Sequence, residues 1–339
     1  MVSESPNGAG WHLYRGTGVP GDGISRLPAP PAWRRFDGEV VSSTDDLVQA
    51  GAYDAGSYRG GRYLPDAATI DAVNAALYLR RPLLVTGKPG TGKSSLAHSI
   101  AHELRLGPVL HWPINSRSSL QGGLYSYDAI GRLQDANLAR LGPEAAPSPD
   151  IGNYVTLGPL GTAFAGWPIP RVLLIDELDK SDVDLPNDLL TIVEEGEFTI
   201  PELVRMADAG PVTVQTSDAA GRVPVRDGRV RCSAFPMVVI TSNGEREFPP
   251  AFLRRCIRLD VQAPGPEQLA QILAAHLGEE SVESSRDLIH RFLTLRDAGD
   301  LATDQLMNAI FLTSADGVGS RAEHERLAEL VLRRLNSEY

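Results

Sequence analysis

The chain has 339 residues, with 32 Lys or Arg against 43 Asp or Glu, a formal net charge of −11, and 42% apolar and 22% charged residues. That is the balance of a globular protein, and its acidity runs against wholesale binding along a nucleic-acid backbone, which favours a basic surface. No apolar run approaches the ~20 residues that span a bilayer, and the N-terminus has no charged-then-apolar signal pattern, so a cytoplasmic protein with no membrane span is expected.

The length accommodates two or three compact units. Residues 1–60, with stretches such as "WHLYRGTGVPGDG" and "LPAPPAWRRFDG", hold no period for long. They read as an extended Pro/Gly-rich arm lying on a body, with Trp11, Tyr14, Trp33 and Phe36 as anchors. "TIDAVNAALYLRR" (69–81) reads as an amphipathic helix capped by Asp66 or Thr69. Short apolar strands follow: "PLLVTG" (82–87), "PVLHWPIN" (108–115), "RVLLIDE" (171–177), "FPMVVITSN" (235–243) and "CIRLDV" (256–261). Near-continuous apolar strands alternating with helices predict a five-stranded parallel sheet covered on both faces, an α/β three-layer αβα sandwich. Residues 141–152 and 208–229, rich in Gly, Pro and Asp, read as surface insertions. Beyond Pro264-Gly265-Pro266 only helical patterns remain, at 266–277, 284–297, 302–314 and 320–336. The expected division is therefore an arm (1–60), an αβα core (61–263) and an all-helical unit (264–339). Cys232 and Cys256 have neither framework nor metal-site spacing and read as reduced thiols.

Within the first strand–helix unit, "GKPGTGKS" satisfies G-x-x-x-x-G-K-[ST] as Gly87, Gly92, Lys93 and Ser94. A strand before it and a helix after it are the context in which that pattern forms a phosphate-binding P-loop. Gly87, Gly90 and Gly92 let backbone N–H groups close on phosphate oxygens where a Cβ would clash, and the helix aims its positive dipole end at the same anion. The expected nucleotide contacts run through Gly87, Lys88, Pro89, Gly90, Thr91, Gly92, Lys93, Ser94 and Ser95. Lys93 would reach the β- and γ-phosphates of a bound nucleotide, and the Ser94 hydroxyl would be a Mg²⁺ ligand. The strand "RVLLIDE" ends in Asp176-Glu177, two carboxylates beside the P-loop strand's tip in a parallel sheet. Asp176 would hold Mg²⁺ through water and Glu177 would polarise the attacking water. The 32 basic residues include only three lysines, Lys88, Lys93 and Lys180, all inside these motifs; Lys180 reads as a surface charge partner for Asp179 or Asp184.

"GKPGTGKS", "LLIDELDK" and "VVITSN" together resemble the AAA+ ATPases, and "YVTLGPLGTAFAG", "NDLLTIVEEGEFTI" and "FPPAFLRRCIRLDV" are similar to their MoxR-like branch. The resemblance covers roughly residues 62–336, apart from the insertion near 200–231, and implies the fold read above, with the final helices as a lid. It implies that Asn243 is the sensor-one amide at a strand tip, turned toward the attacking water and γ-phosphate. It also implies that Arg255, with Arg254 as the lesser candidate, is an arginine finger: a cation with no partner in its own subunit, reaching ATP bound by the next. By the same resemblance the protein is a Mg²⁺-dependent ATP hydrolase working as a homo-oligomeric ring, a hexamer, that remodels a protein client. A von Willebrand factor A domain partner is implied by that analogy only.

Two features depart from the family pattern. The third lid helix opens as "DLATDQLMNAIF" without the second-sensor arginine, and Arg296 and Arg321 stand out of place for it. The segment 208–231 is longer than the usual hairpin there, and reads equally as a substrate-contacting hairpin or an exposed loop. Two other classes stay open: a nucleic-acid translocase or restriction-type motor, and a nucleotide-gated assembly module of a bacterial conflict or stress system.

Overall fold

A computed structural model describes residues 10–40, 60–141, 150–206, 210–218, 221–297, 301–313 and 321–332. The described strands, in chain order, are β1 (Leu83–Thr86), β2 (Leu110–Pro113), β3 (Tyr125–Tyr127), β4 (Val155–Leu157), β5 (Val172–Asp176), β6 (Glu197–Thr199), β7 (Val212–Gln215), β8 (Arg222–Val225), β9 (Arg229–Arg231), β10 (Met237–Ser242) and β11 (Ile257–Asp260). Five of them form a parallel sheet in the order β11-β1-β10-β5-β2. β10 lies at its centre and buries all six residues, as a strand with both faces covered must. One face packs on Leu96, Ile100 and Val73 from the helices Ala67–Leu79 (α1) and Lys93–Glu103 (α2). The other carries the larger cluster around Phe164, Trp167, Leu178 and Leu189, the last from helix α3 (Leu185–Glu195). This is the expected αβα sandwich, followed by the helices Pro266–Leu277 (α4), Glu279–Ser284 (α5), Arg286–Asp297 (α6), Thr303–Thr313 (α7) and Arg321–Val331 (α8), which share a core of Leu269, Leu273, Phe292, Leu306 and Ile310. At the start of α1 it is Asp66, not Thr69, that caps: its carboxylate accepts the Thr69 N–H at 2.8 Å.

The insertion read as surface loop is only partly one. β7 and β8 pair antiparallel as a hairpin, and β7 joins β4 and β3 in a second sheet of order β3-β4-β7-β8. Alternation puts Val214, Val223 and Val225 into the main core, while Thr213, Gln215, Arg222 and Pro224 face outward. Much of the other insertion, 142–149, lies outside the described residues. Cys232 and Cys256 are buried free thiols, each pushed up to about 12 by burial.

The arm is more tightly integrated than its composition implies. Tyr14 is fully buried, its hydroxyl 2.8 Å from Ser99 Oγ on α2, and the Asn74 side chain of α1 accepts the Leu13 and Tyr14 N–H groups. The buried Glu103 carboxylate accepts N–H bonds from Arg15 (2.6 Å), Thr17 (2.7 Å) and Gly18 (3.2 Å). Phe36 stacks on Phe235. Trp11 is half-exposed against Tyr78, and Trp33 is 77% exposed, so Trp33 is no anchor. Its neighbour Arg34 takes that role, because two backbone carbonyls and a carboxylate accept hydrogen bonds from its two terminal nitrogens. Glu103→Ala would leave three N–H groups without their acceptor. A loss of about 1–3 kcal/mol is expected, read as a lower urea midpoint with unchanged slope.

Candidate nucleotide site

Because β1, β5 and β10 run parallel in adjacent register, their C-terminal tips meet at one edge of the sheet. Residues 87–92 leave β1 as a loop and enter α2, with Gly92 in the left-handed region as its N-cap (φ 85°). Gly87 (φ 150°) and Gly90 (φ 74°) also occupy backbone that disfavours other residues. A Cβ at Gly87 would come 2.4 Å from the Val261 carbonyl, and one at Gly90 would come 2.3 Å from Ala302 Cβ. Gly90 is thus where the loop touches the helical region just ahead of α7.

Lys93 is buried. Its Nζ donates to the carbonyls of Gly87 (2.7 Å) and Lys88 (2.8 Å) and to Asn243 Oδ1 (2.9 Å). Burial lowers its pKa, against the opposing pull of Asp179, Asp176 and Glu177. Asn243 Nδ2 donates to Glu177 Oε1 at 3.3 Å, so one amide links the P-loop lysine to the carboxylate after β5. The Asn243 and Glu245 N–H groups both donate to Oδ2 of buried Asp179. Its Oδ1 is buried and without a partner among the described residues.

Ser94 Oγ donates to Asp176 Oδ1 at 2.8 Å. Thr241 Oγ1 donates to the same oxygen at 2.6 Å while accepting the Glu177 N–H at 2.8 Å, and His111 Nε2 stands 3.3 Å from Asp176 Oδ2. Thr241, His111 and Asp179 were not anticipated as site residues. Thr241 was within reach, since strand periodicity puts it on the same side of β10 as Asn243. Glu177 itself sits at φ 60°, ψ 49°, a left-handed conformation that costs a non-glycine residue about 1–2 kcal/mol. The Thr241 bond to its N–H helps hold it there. Its side chain is half-exposed and pairs with Lys180 Nζ at 2.7 Å, which raises the lysine pKa. Glu177 is therefore the partner of Lys180, in place of Asp179, which is taken up by backbone N–H groups, or Asp184.

These residues line a cleft of about 640 Å³ between the sheet edge and the helical region, a volume suited to a nucleotide. Loop residues Pro89 to Ser95 and the side chains of Asp176, Glu177 and Asn243 lie at one end. Arg62, Tyr63, Ile272, His276 and Met307 line the remainder, and Arg62 donates to the His276 carbonyl at 3.1 Å. A hydroxyl and a carboxylate side by side suit Mg²⁺, and a buried ammonium beside a glycine loop suits phosphate, so the residues present fit Mg²⁺-ATP. Arg62 is the one arginine lining the cleft among the described residues. Arg296 instead donates to the Pro264 carbonyl and lies over the Phe292 ring, and the Arg321 side chain is outside the described residues.

Neither Arg254 nor Arg255 lines this cleft. Arg254 follows the short helix Pro250–Leu253, and its side chain is exposed. Arg255 does have a partner in its own chain, contrary to expectation: its Nε donates to Glu194 Oε1 at 2.9 Å and its Nη1 to the Ala251 carbonyl at 3.1 Å. Glu194 is 61 residues away in sequence, so the neighbours of Arg255 along the chain do not reveal the pair.

The description "AAA domain (dynein-related subfamily)" belongs to the family whose model matches residues 82–256, from the first residue before β1 to Cys256. No curated protein matches the chain. AAA domains generally bind ATP, typically with Mg²⁺, support ATP hydrolysis, and assemble as rings. No described helix is long and apolar enough to cross a membrane. With the match spanning more than half of its length over the P-loop, β5 and β10, the chain belongs to the AAA family, in the dynein-related subfamily.

Proposed function

We propose that this protein is a MoxR-like AAA+ ATPase that cleaves Mg²⁺-ATP at the subunit seams of a hexameric ring and uses the cycle to remodel a protein client in the cytoplasm. The reading divides the chain into an arm (1–60), a nucleotide-binding core (61–263) and a helical lid (264–339). A von Willebrand factor A domain partner belongs to it by resemblance to the MoxR-like branch. The observation that carries it is the linked set Lys93–Asn243–Glu177 beside Ser94–Asp176, with Arg255 outside the chain's own cleft.

Each residue then has a task. Lys93 leaves its carbonyl and amide partners for the β- and γ-phosphate oxygens, while the glycine loop presents N–H groups to the same anion. Ser94 and Asp176 would hold Mg²⁺, which would supply positive charge against the charge developing on the phosphates. Glu177 orients the attacking water and takes its proton, with Asn243 fixing the carboxylate relative to Lys93. Arg255 of the adjacent subunit supplies the remaining positive charge.

Lys93→Ala removes the only side-chain ammonium among the cleft-lining residues. Affinity for a fluorescent ATP analogue is expected to fall about tenfold to a hundredfold; unchanged affinity would overturn the assignment. A nucleotide-gated assembly module is the second reading, favoured by the absence of a helical-region arginine from the cleft lining among the described residues. ATP-dependent assembly with steady turnover far below about one per minute would select it.

A further inference from the structure

The geometry points to Glu194 as the positioning residue of Arg255, held in turn by Arg34 from the N-terminal arm. The inference rests on the proposed role of Arg255 as the cation acting on the next subunit's ATP. Glu194 lies in the last turn of α3, where a carboxylate is disfavoured by the helix dipole. Two guanidiniums offset that placement. Arg34 Nη1 donates to Oε2 at 3.1 Å and Arg255 Nε donates to Oε1 at 2.9 Å, so one carboxylate bridges the arm to the candidate finger.

Arg34 is a fixed point. It is 5% exposed, its Nη2 donates to the carbonyls of Arg80 (2.6 Å) and Val193 (3.0 Å), and it lies over the rings of Phe36 and Phe235. A carboxylate anchored on such a cation has little freedom, and it fixes the plane of the guanidinium it accepts from. With Nε on Glu194 and Nη1 on the Ala251 carbonyl, the Nη2 of Arg255 has no partner among the described residues. The side chain is thereby ordered on its own subunit before a neighbour docks, which lowers the reorganisation needed at the moment of reaction. Arg34 lies outside residues 82–256, so the arm contributes to a function whose other parts lie within the matched segment. Glu194 is not in the cleft lining, so its effect falls on the neighbour's chemistry and leaves nucleotide binding by its own subunit alone.

Steady-state phosphate release and ATP-analogue binding by the full-length protein test this. Glu194→Ala is expected to lower turnover about tenfold to a hundredfold with analogue affinity unchanged. Glu194→Gln keeps an acceptor for Nε and should retain more turnover than the Ala variant. Introduced into Arg255→Ala, the same Glu194→Ala change should alter turnover less than about twofold, since its partner is already gone. Arg34→Lys keeps the charge but loses the planar fork, and should give a smaller loss that also vanishes in the Arg255→Ala background. If Arg255→Ala is slow but Glu194→Ala turns over at the unmodified rate or faster, the positioning role is overturned while the role of Arg255 stands. A full additive loss in the double variant overturns it too, because the effect would then be structural. If Arg255→Ala itself turns over normally, it is the trans-acting reading that fails.

Discussion

Arg255→Ala is expected to slow phosphate release by about 10³–10⁵-fold while leaving ATP binding to each subunit intact. The split follows from position. The guanidinium does not line its own subunit's cleft, so its removal takes nothing from ground-state binding there. On the proposed trans-acting role, what it removes is a charge acting on the γ-phosphate held by the adjacent subunit as negative charge redistributes in the transition state. Arg254, exposed and following the same short helix, is the internal control. Arg254→Ala should cost far less, because among the described residues no carboxylate holds it in a defined orientation. Equal losses in both variants would mean that the pair acts as a diffuse patch, contrary to a single positioned finger.

Glu177→Gln is expected to retain ATP, and to assemble with it, while hydrolysis falls about 10²–10⁴-fold. Gln is nearly the same shape and keeps an oxygen for the Asn243 amide, now 3.3 Å from Glu177 Oε1, but it cannot accept a proton from water. Backbone geometry is preserved because the bond from the residue 177 N–H to Thr241 does not involve the side chain. The charge pair with Lys180 is lost, yet it joins two half-exposed groups and contributes little to stability. Melting temperature should therefore barely move, and a large drop would show that the hydrolytic effect is indirect. Phosphate release at the unmodified rate would remove Glu177 from the mechanism.

The central sheet and the loop were legible in the sequence because they rest on local signals. Apolar runs of strand length, a glycine pattern at a strand–helix junction and a carboxylate pair ending a strand each lie within about ten residues. The second sheet was not legible. β3, β4, β7 and β8 are three or four residues long, and in β7 and β8 alternate valines are set among Gly, Pro and Asp that by themselves indicate loops. Trp33 illustrates a different limit. Aromatic character marked it as an anchor, but burial was decided by Arg34, whose partners Arg80, Val193 and Glu194 come from two distant helix ends. The Glu194–Arg255 pair has the same origin, since contact across 61 residues leaves no trace in spacing or periodicity. His111 on β2 was also hidden, because its meeting with Asp176 depends on the strand order of the folded sheet.

Mixing two impaired variants tests the claim of a shared site most directly. In a ring with head-to-tail interfaces, an Arg255→Ala subunit keeps a working P-loop and a Lys93→Ala subunit keeps a working finger. Random co-assembly at equal amounts makes about a quarter of the seams complete in both parts. Phosphate release should therefore rise well above that of either variant alone and peak near equal mixing. If no ratio restores activity although mixed rings are present, ATP is not cleaved between two copies of this chain.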